Sequence, residues 1–199
     1  MSKLYQLVLC SKSPRRKELL TKAGYDFHVC ESNSKEVIPM GLNPYEQVIY
    51  LSKDKVEKTP YVLNHNTILI AADTMVFLDE KELGKPKDKK EAIKMLKLLS
   101  GKCHDVITGV TLCSSKKMHS FYSATTVFIE NIKEEEIVAY VEDYMPFDKA
   151  GSYGIQDSLS KKEEKIGPLD IKVISGDYYN VVGLPIGQLK IELENFINN

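Results

Sequence analysis

No stretch of this chain approaches the run of about 18 uninterrupted apolar residues that a membrane-crossing helix needs. Its N-terminus carries one lysine and a short apolar segment instead of a long hydrophobic leader core. The expectation is a cytoplasmic protein with no membrane partner. Charge of one sign is also scarce: 27 Lys and Arg face 28 Asp and Glu, the formal net charge is -1, and the two signs are interspersed. Lacking a basic stripe or an acidic tail, the chain is not expected to bind nucleic acid. Cys10, Cys30, Cys103 and Cys113 lie far apart, mostly on strand-like segments, which fits reduced, buried thiols better than a disulfide framework. His28, His65, His104 and His119 form no H-x-x-x-H pattern, and no paired C-x-x-C occurs, so a zinc site is not expected. Any metal acting here must be held by carboxylates and phosphates. There is no internal repeat, and the one low-complexity stretch, "KKEEK", reads as a mobile surface loop.

What is present is enough apolar material for a full core. The chain has 199 residues, 43% of them hydrophobic, and reads as one domain over 1–199, either undivided or built as two small lobes. "KLYQLVL" predicts a buried strand ending at Cys10. A helix follows at once, with Ser13 as cap, Pro14 in the first position, Leu19, Leu20 and Ala23 inward, and Gly24 closing it. "YDFHVC" alternates like a strand. Asn43, Pro44 and Glu46 form a capping-box signature for a helix to about Lys58. "TILIAADTMVFL" is a strand, followed by a tight turn near "DEKE" and by "LGKP". Asp88 with Glu91 caps a third helix with Ala92, Ile93, Leu96 and Leu99 inward. "HDVITGVTLC" and "SFYSATTVFIE" form a hairpin, "KEEEIVAYVEDY" a fourth helix, "IKVI" a strand, "SGDYYNVVGLP" a turn, and a closing helix runs to Phe196. An early strand-to-helix crossover with a later long hairpin predicts an α/β fold with a mixed sheet.

Several charges sit where this pattern calls for apolar or neutral residues. Arg15 and Arg16 stand at a helix start, where the macrodipole already favours acids by about 0.3 to 1 kcal/mol each. A bound phosphate resolves the conflict, since strand, serine loop and helix N-terminus form an anion site and arginine grips phosphate oxygens in pairs; a solvated basic turn is the alternative. Lys55 shares the inward face of its helix with Val48 and Leu51, either to meet a buried partner or to snorkel. Asp73 interrupts a buried strand, as a functional acid or as a bulge residue bonding nearby backbone. Lys85 lies between Gly84 and Pro86 on a stiff loop, as a ligand contact or an exposed turn lysine. Glu36 alone reads as an ordinary loop acid. Asp148, Lys149 and Gln156 fall in a glycine-punctuated stretch too apolar for a linker, where the two charges can also form a buried structural pair. Together these supply cations for phosphates, acids for a divalent ion and a loop able to recognise a base, the parts of a nucleotide phosphohydrolase.

"SKSPRR", "AADTMV", "LGKP", "DKAGSYGIQ" and "VVGLP" stand in the order and approximate spacing of the Maf family of nucleoside triphosphate pyrophosphatases, which the chain resembles from about Leu4 to Leu189. The resemblance implies a mixed sheet flanked by helices in two lobes around a central cleft, a Ham1-like or ITPase-like fold. It implies frequent homodimers and hydrolysis of a triphosphate to a monophosphate and pyrophosphate with Mg or Mn. Carried over position by position, Ser11, Ser13, Arg15 and Arg16 match the phosphate loop. Asp73 matches the catalytic acid, and Glu36, Lys55 and Lys85 match the supporting acid and two lysines, with Asp73 and Glu36 holding the metal. Asp148 and Lys149 fall in the substrate-binding loop, and Thr74 and Gln156 match positions tied to substrate choice. An Asp-Thr pair with Tyr-Gly-Ile-Gln resembles the dTTP and UTP branch, including modified uridine triphosphates. Members often carry Glu before Pro146, where this chain has Met145; Lys12 is bulky for its slot, and 157–171 is longer and more charged than usual. Two other readings use the same residues: a non-enzymatic nucleotide-binding regulator of cell division, needing no hydrolytic acid, and an interaction module using the charges at Lys161 to Lys165.

Overall fold

The computed structural model describes residues 5–158, 160–161, 164–165 and 169–198. The first strand is β1 (Gln6–Leu9), and α1 (Pro14–Lys22) follows after four residues, with Ser13 at its cap and Pro14 in its first position. The chain leaves α1 through Gly24 at φ +79°, a left-handed turn that a side chain would strain, and enters β2 (Phe27–Val29). Next come α2 (Pro44–Glu57) and β3 (Thr67–Leu78), the latter matching the expected apolar run residue for residue. The capping box on α2 is complete: Asn43 Oδ1 accepts from Tyr45 and Glu46 N–H, both at 3.0 Å, and Glu46 Oε2 accepts from Asn43 N–H at 2.9 Å.

After β3, Asp79 and Glu80 both take positive φ, 50° and 63°, and Leu78 pairs with Lys81 across a two-residue hairpin into β4 (Lys81–Leu83). That strand goes beyond the expected turn, because Glu80 stands where such hairpins usually announce themselves with glycine. Then come α3 (Lys89–Leu99), β5 (Lys102–Cys113), β6 (Met118–Ile129) and α4 (Glu134–Tyr144). Ala92, Leu96 and Leu99 are buried as expected, joined by Met95, while Ile93 is only half-buried. Two 3-10 turns, Ala150–Ser152 and Ile155–Ser158, lie in the stretch that follows. The charged segment expected as a loop contains a small antiparallel ladder, β7 (Ser160–Lys161) with β8 (Glu164–Lys165); residues 162–163 and 166–168 of that segment lie outside the described residues. The chain ends in β9 (Ile171–Ser175), α5 (Tyr178–Val182) and α6 (Ile186–Asn198). The short helix α5 replaces the middle of the turn expected at "SGDYYNVVGLP".

One sheet orders its strands β2-β1-β3-β5-β6-β9, with β4 added to β3. β1 is parallel to both β2 and β3, whereas β4 on β3 and β9 on β6 are antiparallel, so the sheet is mixed as expected. The chain divides into two compact units, one of residues 1–74, 108–123 and 183–199 and the other of 75–107 and 124–182, with the divisions at 74, 107 and 123 falling inside strands. In the first unit, Val8, Cys10, Val56, Leu69, Ala71 and Cys113 form a continuous buried cluster. In the second, α3 and α4 pack on each other, and Ile137, Tyr140 and Val141 of α4 are buried. All four cysteines are free thiols; Cys10 and Cys113 are buried as expected, but Cys103 on β5 is exposed. Burial raises the Cys10 thiol to about 11, which keeps it a protonated core side chain. Among the described residues no helix is long and apolar enough to cross a membrane.

The seat of α2 depends on one glycine. A Cβ at Gly109 of β5 would stand 2.3 Å from the Val48 carbonyl oxygen and 2.8 Å from the Ile49 nitrogen, so the helix backbone rests directly on the strand. Gly109→Ala is expected to cost about 1 to 3 kcal/mol through overpacking against backbone that has no side chain to move. Urea unfolding checks this, and a midpoint unchanged from the parent would contradict it.

Candidate active site

In the first unit, α2 turns Val48, Leu51, Ser52, Lys55 and Val56 inward. Lys55 follows Leu51 by one helical turn and is 9% exposed, while Asp73 near the middle of β3 is 7% exposed. Lys55 Nζ donates to Asp73 Oδ1 and makes a second ion pair with Glu36 Oε1 at 2.8 Å. Of the two openings left for Lys55, the structure shows the buried partner rather than the snorkel. Asp73 is likewise a strand residue whose carboxylate has a buried ionic partner.

Glu36 is delivered by a loop that is tied to the same helix. Ser34 Oγ donates to Asp54 Oδ2 at 2.5 Å and accepts the Glu36 N–H at 3.1 Å, and Asn33 N–H donates to the Lys58 carbonyl at 3.0 Å. Glu36 itself sits at φ +53°, a left-handed conformation that costs a non-glycine residue about 1 kcal/mol or more and is maintained by those surrounding bonds. Ser34 had no signal in the sequence beyond being polar; its bond to Asp54, the residue before Lys55 on α2, exists only once the loop folds back on the helix.

Arg16 is buried although it carries a charge. Its Nε donates to the Gly183 carbonyl at 2.8 Å, Nη1 to Ser11 Oγ at 3.3 Å and Nη2 to Thr74 Oγ1 at 3.0 Å. These three bonds leave one N–H on each terminal nitrogen of the guanidinium. Burial pushes its pKa below the usual guanidinium value, and the charge of Asp73 opposes that shift. The guanidinium nevertheless stays protonated in any protein setting. Ser13 Oγ accepts the Arg16 N–H at the start of α1, and the Ser13 N–H donates to Ser11 Oγ at 3.2 Å. Arg15 is half-buried on the first turn. Lys12 points elsewhere, pairing with Glu31 at 3.4 Å where both are exposed, a contact of little energetic weight.

The first unit therefore brings together Ser11, Ser13, Arg15, Arg16, Glu36, Lys55, Asp73 and Thr74. Lys55 pairs with both carboxylates there, and Arg16 is buried next to a helix N-terminus with its charge met by neutral oxygens, a setting that favours an anion. The two carboxylates suit a divalent ion: both reach one point, now held by Nζ, and magnesium takes one or two protein carboxylates plus phosphate oxygens. Among the described residues no group of three or more His, Cys, Asp or Glu could hold a metal, so further ligands must come from a bound phosphate or water.

Lys85, Asp148, Lys149 and Gln156 belong to the second unit. Lys85 is exposed. Lys149 Nζ pairs with Asp148 Oδ1 at 2.8 Å, but Asp148 is 58% exposed, which replaces the buried structural pair with a surface one. The loop that carries them is pinned by the Gly151 N–H, which donates to the Gly84 carbonyl at 3.2 Å next to Lys85. Gln156 is half-buried on a segment braced by two tyrosines that sequence reasoning did not single out. Tyr140 OH accepts the Gly154 N–H at 3.0 Å and donates to Asp157 Oδ2 at 2.8 Å. Tyr153 OH meets His104 Nε2 at 2.6 Å in a buried pair. Burial lowers the pKa of His104 to about 4, with Asp105 opposing.

His104 ties the second unit to acid sensitivity. Between its ordinary value of about 6.5 and the folded value of about 4, the unfolded chain binds a proton that the folded one refuses, so stability falls as pH drops through this window. The loss expected is up to about 3 kcal/mol, and His104→Gln should lose correspondingly less over the same pH range. Urea unfolding of both proteins between pH 7 and pH 4 checks this; equal losses would contradict it.

A family model described as Maf-like protein matches residues 6–196. A dTTP/UTP pyrophosphatase of Bacillus pumilus is 47% identical over 191 residues, covering 96% of each chain. One of Bacteroides thetaiotaomicron is 43% identical over 96% of this chain and 95% of its own, and one of Porphyromonas gingivalis is 41% identical over 98% and 96%. A solved structure of the Staphylococcus aureus Ham1 protein aligns over 96% of this chain and 98% of its own, with a TM-score of 0.48 and 16% identity. With the family pattern running through β1 to α6 and full-length relatives above 40% identity, the chain belongs to the Maf-like protein family.

Proposed function

We propose that this chain is a nucleoside triphosphate pyrophosphatase that hydrolyses dTTP and UTP to the monophosphate and pyrophosphate. The observation that carries the reading is the buried Lys55 ammonium bridging Asp73 and Glu36, with the braced Arg16 guanidinium contacting Thr74, the next residue of β3. A regulator that only bound nucleotide would have no use for a hydrolytic acid in that position. That the Bacillus pumilus and Bacteroides thetaiotaomicron relatives are dTTP/UTP pyrophosphatases supports the same substrates.

In the proposed reaction Arg15 and Arg16 bind triphosphate oxygens at the start of α1. Asp73 Oδ1 is held by Lys55, and Oδ2 is the atom assigned to take a proton from the attacking water. The water oxygen forms a bond to the α-phosphorus in line with the bridging oxygen to the β-phosphorus. That second bond breaks, and pyrophosphate leaves with the electron pair. Cations near the leaving group offset its growing charge, an effect of about 2.7 to 4 kcal/mol for a single well-placed donor. Asp73 and Glu36 are the residues that would hold Mg or Mn, which when bound neutralises phosphate oxygens. The roles that resemblance implies for Lys85, Asp148, Lys149 and Gln156 belong to this proposal, as does the homodimer.

Product analysis with dTTP, UTP, CTP, GTP, 7-methyl-GTP and ATP in Mg or Mn tests the reading. Pyrophosphate, not single phosphate, is expected from dTTP and UTP. Asp73→Asn is expected to lower turnover by at least about a hundredfold while the far-UV spectrum stays native. Near-normal turnover in that variant would remove Asp73 from the chemistry, and binding without hydrolysis in the parent would favour the regulator.

A further inference from the structure

Arg16 is held by groups from three separate segments, and one residue behind them has no role in anything derived above. Thr108 on β5 is completely buried. Its Oγ1 lies 2.9 Å from Thr74 Oγ1, which in turn accepts from Arg16 Nη2 at 3.0 Å. Thr74 Oγ1 is also 3.4 Å from the Gly183 carbonyl, the oxygen that receives Arg16 Nε. Gly183 adopts φ +127°, and a Cβ there would sit 3.7 Å from Thr74 Oγ1 and 3.8 Å from Arg16 Nε, so the "VVGLP" backbone passes directly against the pair.

A hydroxyl has one proton to give. Thr74 already accepts from the guanidinium, so its own proton must go to Thr108 or to Gly183, and Thr108 decides which. Without the Thr108 hydroxyl, Thr74 has only the longer contact to Gly183, and the Nη2 end of the fork loses its fixed acceptor geometry. A long arginine side chain held at one end only regains rotamers, and a phosphate donor that must be re-ordered at each turnover loses catalytic effect.

We propose that Thr108 is a positioning residue that acts through Thr74 to hold the Arg16 guanidinium in a single orientation toward a triphosphate. On this assignment Thr74 serves the phosphate end of the substrate, not the base. The proposal rests on the pyrophosphatase reading of the same site.

Thr108→Val removes the hydroxyl at similar volume, and Thr108→Ser restores it. In the Val variant kcat/KM should fall about tenfold, by the same factor for dTTP and for UTP, and the Ser variant should return to within about twofold of the parent. The decisive comparison is a cycle with Arg16→Lys. A residue that works through Arg16 loses its effect once the fork is gone, so Thr108→Val added to Arg16→Lys should change kcat/KM by less than about twofold. A merely structural role would give the tenfold loss in both backgrounds, and an unequal loss between dTTP and UTP would place Thr74 at the base; either result overturns the assignment. If the parent hydrolyses no nucleotide, the pyrophosphatase reading has failed separately. Calorimetric binding of inorganic pyrophosphate then tests the positioning alone: weaker binding by Thr108→Val, recovered by Thr108→Ser, supports it, and equal or absent binding overturns it.

Discussion

Everything in the first unit's site follows from the need to answer a buried ammonium. Lys55 is carried inward by the same helical period that buries Val48, Leu51 and Val56, so α2 cannot dock its apolar face without also desolvating a charge. A lone buried ammonium costs several kcal/mol, and a carboxylate on the facing strand is the least costly partner. Asp73 supplies it from inside a β-strand that is otherwise apolar, and Glu36 adds a second carboxylate from the loop stapled to α2. Neither charge suits the core alone; as a pair they specify how helix and strand meet. Gly109 completes the arrangement by letting the α2 backbone lie against β5 with no side chain between them.

Arg16 raises the same problem at the other end of the site and is solved differently. Its fork is satisfied by neutral oxygens, a carbonyl and two hydroxyls, so the positive charge remains available to the surroundings. Lys55 is nearly neutralised in place, whereas Arg16 is oriented and left charged. That contrast separates a group that fixes two carboxylates in place from one suited to meet an anion. On the proposed function, a bound triphosphate would offset the repulsion of two cations at a helix N-terminus.

Much of the framework was legible because it rests on local rules. The capping box at Asn43, Pro14 behind Ser13, and the largely apolar run of β3 each express a preference that neighbours in sequence enforce, and each formed as read. Failures came where a residue adopted a conformation that its type disfavours. Glu80 at φ 63° built a hairpin without glycine, and the "SGDYYNVVGLP" turn held a helix of five residues too short for periodicity to register. A buried pair was one of two readings open for Asp148 and Lys149; they do pair, but their exposure depends on what covers them, which no local pattern encodes.

The same division applies to chemistry. Residue type and spacing alone determined that the α1 start is cationic and that Lys55 and Asp73 are charges in apolar settings. Those facts depend on spacing along one element, where periodicity decides which face a side chain takes. Only the tertiary structure decided that Lys55 lies between Asp73 and Glu36, that Ser34 and Asp54 fasten the Glu36 loop, and that Gly183 and Thr108 converge on Arg16 from positions 167 and 92 residues away. Hydrogen bonds and ion pairs act over about 3 Å, and which groups come that close is settled by packing whole elements together, a property that no single stretch of sequence carries.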